Sequence, residues 1–140
     1  MALQKIDIRK EFPYPVEQLF GFLSVHKNLE AIFVPARIDR VRDGVDTPDG
    51  LKSVRRLRIL IAPAFEETVT LFRENERIEY RITRGSPLRN HHGVMRFSAT
   101  PEGSVLHYTI EFEGKLPLIG PLVRAALNRG IRQGLDKLRL

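Results

Sequence analysis

Residues 116–140, LPLIGPLVRAALNRGIRQGLDKLRL, space their apolar side chains as one long helix does. At 100° per residue, Ile119, Val123, Ala126, Leu127, Gly130 and Gly134 fall on one side, with Leu122, Ile131 and Leu138 beside them. Asn128, Arg129, Arg132, Asp136 and Arg139 take the opposite side. An interior glycine costs a helix about 1 kcal/mol relative to alanine. Two of them in the apolar stripe imply that something beneath the helix needs room, either the backbone of a sheet or a bound ligand. Pro121 suits a first helical turn, so Gly114–Pro121 reads as the join between a strand and this helix.

Upstream of the helix the period changes to two, and it holds for about 80 residues from Ala36. The clearest case is the last strand, with Leu106, Tyr108, Ile110 and Phe112 on one face and His107, Thr109, Glu111 and Glu113 on the other. Earlier strands are expected at Leu88–Ala99, around Ile78, Tyr80 and Ile82, at Phe65–Phe72, at Leu51–Ile61 and at Arg37–Arg42. The third of the seven would set Ser53, Arg55, Leu57, Ile59 and Ile61 on its inner face. Leu3–Phe12 alternates as a first strand, stopped by Pro13 and Pro15. Val16, Leu19, Phe20 and Leu23 then mark a short helix, and His26–Ile32 a second, closing on Phe33-Val34-Pro35. Strand, two short helices, six strands and a long helix make an α+β chain. The economical arrangement is a helix-grip fold: a strongly curved antiparallel sheet of about seven strands wrapped around the C-terminal helix. Such a sheet cannot touch the whole helix, so a cavity is expected between them.

With 140 residues, 42% of them hydrophobic, the chain is expected to form one domain spanning residues 1–140. It contains no run of about 18 apolar residues, and MALQKIDIRK is charged where a signal peptide needs an apolar segment, so a cytoplasmic location is expected. The absence of cysteine excludes disulfides, thiolate catalysis and thiolate metal sites. Lys and Arg number 23 against 17 Asp and Glu, a net charge of +6. The basic residues of Lys52–Arg58 and of the last helix are interrupted by apolar ones at structural spacing. They fit a solvated face better than a nucleic-acid surface. Hydrolase, dinucleotide and P-loop signatures are missing. His91 and His92 are neighbours on a strand and point to opposite faces, and His26 and His107 lie on other elements. No metal site and no cofactor are expected.

The element order, with PYPVEQLF at 13–20, GLKSVRR at 50–56, ETVT at 67–70, YRI at 80–82 and GSVL at 103–106, resembles the polyketide cyclase/dehydrase branch of the START-like, or birch-pollen-allergen-like, superfamily (SRPBCC). The resemblance covers essentially the whole chain. It implies the helix-grip fold and a cavity under the last helix that takes lipids, sterols, polyketides, plant hormones or quinones. A minority of the superfamily catalyse cyclisation or dehydration.

The apolar inner faces carry a few polar residues: Arg55, Glu67, Tyr80, Arg89 or His91, and Tyr108. A hairpin centred on Ala62–Ala64 would set Glu67 opposite Ile59, against an apolar lining, where a carboxylate needs a cation or donor such as Arg55, Arg84 or His91. Glu67 reads either as a ligand anchor or as a salt-bridged side chain at the rim. The remaining lining is expected from Leu57, Ile59, Val69 and Ile82, from Met95, Phe97 and Ile110, and from Val123, Ala126, Leu127, Gly130 and Gly134 as the roof. Three readings follow. The first is a binding protein for a hydrophobic or amphipathic small molecule, monomeric or weakly dimeric. The second is a cyclase or dehydratase with Glu67 or His91 as general acid/base and a tyrosine hydroxyl polarising a carbonyl. The third is a basic module for RNA, a ribosome or an anionic membrane surface.

Overall fold

The computed structural model describes residues 2–140. Its strands are β1 (Leu3–Phe12), β2 (Arg37–Arg42), β3 (Val54–Arg58), β4 (Phe65–Arg73), β5 (Arg77–Arg84), β6 (Leu88–Thr100) and β7 (Gly103–Gly114). Between β1 and β2 lie the helix α1 (Val16–Leu23) and a 3-10 helix (His26–Ala31), and the chain closes with α2 (Ile119–Asp136). The seven strands form one antiparallel sheet in the order β1-β7-β6-β5-β4-β3-β2. This is the expected helix-grip arrangement, a meander whose first strand returns beside its last.

Two elements differ from the sequence reading. β3 ends at Arg58 instead of continuing to Ile61, because Leu60 takes a left-handed φ of 53° that no ladder accommodates, and Ile61 is fully exposed. Pairing of β3 with β4 stops at Leu57↔Phe65, and this register sets Glu67 opposite Arg55, not Ile59. α2 starts at Ile119 instead of Leu116, since Leu118 has a φ of 71° and breaks the helical run behind it.

α2 lies along the β1 edge. Arg124 Nε donates to the Lys5 carbonyl at 2.8 Å, Arg132 Nη2 to the Asp7 carbonyl at 3.3 Å, and Lys10 pairs with Asp136 at 2.6 Å. The two arginine bonds satisfy edge carbonyls that would otherwise template another strand. The helix is unevenly buried: Gly120 is packed at one end and Ile131 and Leu135 at the other, while Val123, Leu127 and Gly130 between them are only half-buried. At the opposite end of the concave face α1 fills the space with Phe20, whose ring meets Phe97 edge-on at 5.0 Å and Phe72 at 5.4 Å. The inner face is thus solid under α1 and hollow under the middle of α2. Among the described residues no helix is long and apolar enough to cross a membrane.

Candidate functional site

The hollow is a cavity of about 630 Å³. The strands line it through Leu57, Phe65, Glu67, Tyr80, Ile82, Leu88, His91 and Ile110, Ile59 joins them just past the end of β3, and α2 contributes Val123, Ala126, Leu127, Gly130 and Ile131. Loops complete it with Ile32–Pro35, Ala62, Pro63, Ser86 and Pro87. Sequence patterning missed these loop residues, because their position depends on how the connections fold over the sheet.

Six expected lining residues lie off the cavity wall. Val69, Met95 and Phe97 belong to the packed core. Arg55 and Tyr108 stand behind the wall and act on it through their neighbours. Gly134, expected in the roof, is a packing glycine: a Cβ there would lie 2.6 Å from Ile32 Cα and 2.7 Å from the Ala31 carbonyl oxygen. Gly130 differs, since a Cβ added to it meets nothing within 4 Å and would enter the cavity. Arg89 and Arg84, the other basic residues considered for the inner face, are exposed.

Two β-bulges aim the polar groups inward. In β5 an extra residue between Ile82 and Arg84 shifts the register at Glu67. In β6 the pairing with β7 skips between Arg89 and His92, where Asn90 adopts a φ of 54°, a conformation that asparagine tolerates better than most residues. The bulge turns His91 under the sheet, and His92 points away to bond Glu79 at 2.7 Å. β5 and β6 part beyond Tyr80↔Gly93, and the Ile82 amide, freed of a backbone partner there, donates to His91 Nδ1 at 3.0 Å.

Arg55, 3% exposed, is the centre of the polar cluster. Its Nε donates to Glu67 Oε1 at 2.8 Å, and Nη2 approaches the same oxygen at 2.8 Å out of line for a hydrogen bond. Its Nη1 donates to His26 Nδ1 at 3.2 Å, and the guanidinium lies 4.5 Å over the Tyr80 ring. Burial opposes the arginine's charge, but Glu67 and the two tyrosines outweigh it and hold its pKa above the ordinary value. With Nδ1 occupied, neutral His26 carries its proton on Nε2 and donates to Ser53 Oγ at 2.8 Å. Tyr80 and Tyr108 bond each other through their hydroxyls; burial above all raises both pKa values, helped at Tyr80 by Tyr108 and then Glu67 and at Tyr108 by Glu67, so both stay phenols. Gly93 makes room for this arrangement, since a Cβ there would overlap the Tyr80 ring. A glycine in the middle of β6 was a readable signal of such a close approach.

His26 makes folding pH-dependent. Burial, then Arg55, lowers its pKa from 6.5 to about 4. Below pH 6.5 the unfolded chain takes up a proton that the folded chain refuses, so the stabilisation is complete above about 6.5 and is lost as pH falls towards about 4. In denaturant titrations across that window, His26→Gln is expected to lose less stability than the wild type. Parallel curves would remove His26 as a source of the dependence.

Glu67 Oε2 and His91 Nε2 remain. They stand 3.9 Å apart on the cavity wall, and neither makes a hydrogen bond within the protein among the described residues. Burial, then Arg55, outweighs the Glu67 charge and lowers the His91 pKa, so the imidazole is neutral near pH 7.

The profile of a family described as polyketide cyclase/dehydrase and lipid transport matches residues 4–140. The chain belongs to this family. The description of the polyketide cyclase/dehydrase family joins enzymes with lipid carriers. Solved structures with the same fold include a START superfamily protein from Mycobacterium smegmatis, at 15% identity and a TM-score of 0.74 over 96% of this chain and 94% of that one. Norcoclaurine synthase from Thalictrum flavum, solved with dopamine and hydroxybenzaldehyde, aligns at 14% identity and a TM-score of 0.64, covering 99% of this chain and 90% of the synthase. The Aha1 dimer from Colwellia psychrerythraea aligns at 12% and 0.67, over 95% and 91%. At these identities the likeness is one of fold. No curated protein matches the sequence.

Proposed function

We propose that this protein binds a hydrophobic or amphipathic small molecule between the concave sheet and α2. The observation that carries the reading is the cavity itself, about 630 Å³ with a wall whose only polar residues among those described are Glu67, His91, Ser86 and Tyr80. That volume and the small number of polar groups are those of a ligand site. Binding is favoured over acid/base catalysis because the tyrosine hydroxyls are committed to each other and Glu67 is tied to Arg55 through one oxygen. A basic nucleic-acid surface has less support, since Arg40, Arg56 and Arg77 sit in ion pairs with Asp43 and Asp49, Glu66 and Glu79.

The test uses N-phenyl-1-naphthylamine, an uncharged fluorescent probe. Saturable uptake of one probe per chain is expected. Gly130→Trp, which projects an indole into the cavity from a position with no neighbour within 4 Å, should weaken uptake while leaving the melting temperature no lower than that of the wild type. The loss should be about tenfold or more, equivalent to roughly 1.4 kcal/mol. No uptake by the wild type, or equal uptake by the folded variant, would sink the reading.

A further inference from the structure

We infer that the ligand carries a hydroxyl group, held between Glu67 and His91. The inference rests on the cavity reading above and adds the chemistry of the ligand's polar end. Glu67 Oε2 and His91 Nε2 are 3.9 Å apart, too far for a direct bond. One oxygen atom can sit about 2.8 Å from both.

The two groups differ in kind. The Ile82 amide donates to His91 Nδ1, so the neutral ring carries its proton on Nε2 and offers a donor to the cavity. Glu67 supplies the countercharge that buried Arg55 requires and offers its second oxygen as an acceptor. A hydroxyl is the simplest group that accepts from one and donates to the other. An ether or ketone accepts from His91 but turns lone pairs towards the carboxylate. A carboxylate ligand meets the Glu67 charge, and an ammonium meets the His91 N–H. Leaving a charged buried acceptor without a donor is the costly alternative, and this is what discriminates between ligands.

Three probes of one shape test this by displacing N-phenyl-1-naphthylamine at pH 7.5: 4-octylphenol, 4-octylanisole and 4-octylbenzoate. The phenol should displace it about tenfold or more tighter than either of the others, the scale of one hydrogen bond to a charged group. In Glu67→Gln, the advantage of the phenol over the anisole should shrink; the wild-type series decides the matter if that variant does not fold. Equal displacement by phenol and anisole, or strongest displacement by the benzoate, overturns the hydroxyl assignment and leaves the cavity reading standing. If neither the naphthylamine nor any octyl compound binds, both fall.

Discussion

Arg55→Met is expected to destabilise the fold by about 3–5 kcal/mol, the usual result of removing one partner of a buried ion pair. Glu67, only 6% exposed, would lose the cation and the hydrogen bond that compensate its burial and would face a thioether in their place, with His91 Nε2 3.9 Å from its other oxygen. The substitution also removes the cation from the Tyr80 face and the donor from His26 Nδ1. Combining Arg55→Met with Glu67→Gln should recover most of the loss, because the stranded charge then disappears. Denaturant titration at pH 7.5 measures both variants. A single-variant loss below about 1 kcal/mol, the range of exposed pairs, would mean that solvent in the cavity screens Glu67 as fully as a surface site.

The second large effect separates two glycines four residues apart on α2. Gly134→Leu should cost about 3 kcal/mol or more, at or beyond the upper end for overpacking, because its Cβ meets backbone and not a movable side chain. Ile32 Cα at 2.6 Å and the Ala31 oxygen at 2.7 Å cannot yield unless the 3-10 helix and α2 move apart. Gly130→Leu should be neutral or gain up to about 1 kcal/mol, since the helix loses a glycine and the new side chain enters free space. Thermal melts of the pair decide it, and equal melting temperatures would contradict the packing difference.

The two glycines also show what the sequence could convey. Both lie on the apolar stripe, and helical periodicity gives them the same role; the distinction depends on Ile32, about a hundred positions earlier in the chain. The element order and the inward faces of β5 and β7 were legible because alternation is local. The register opposite Glu67 was not, since it rests on where β3 ends, and Leu60 ends it by backbone conformation, which no hydrophobic pattern records; Arg55 could be read only as one of three possible partners. The His26–Arg55 bond spans 29 positions and had no motif to announce it. Asn90 and Gly93 were legible in principle, being residues that permit a bulge and a close approach, but their meaning emerges only when β6 is laid beside β5 and β7.

The uneven burial of α2 bears on how selective the cavity can be. The helix is a beam resting on two supports, Gly120 against Gln4 at one end and Ile131, Gly134 and Leu135 at the other, with an unfilled span between them. A loaded span bows most at its centre and least at its supports. Under the proposed binding, the half-buried stretch Val123–Gly130, tied to β1 through Arg124, would be the part of the ceiling freest to adjust to the girth of a guest, while Glu67 and His91 are fixed by the sheet and by Arg55. Under the same proposal, such a chamber would be strict about where a guest places its polar atom and lenient about the thickness of the rest.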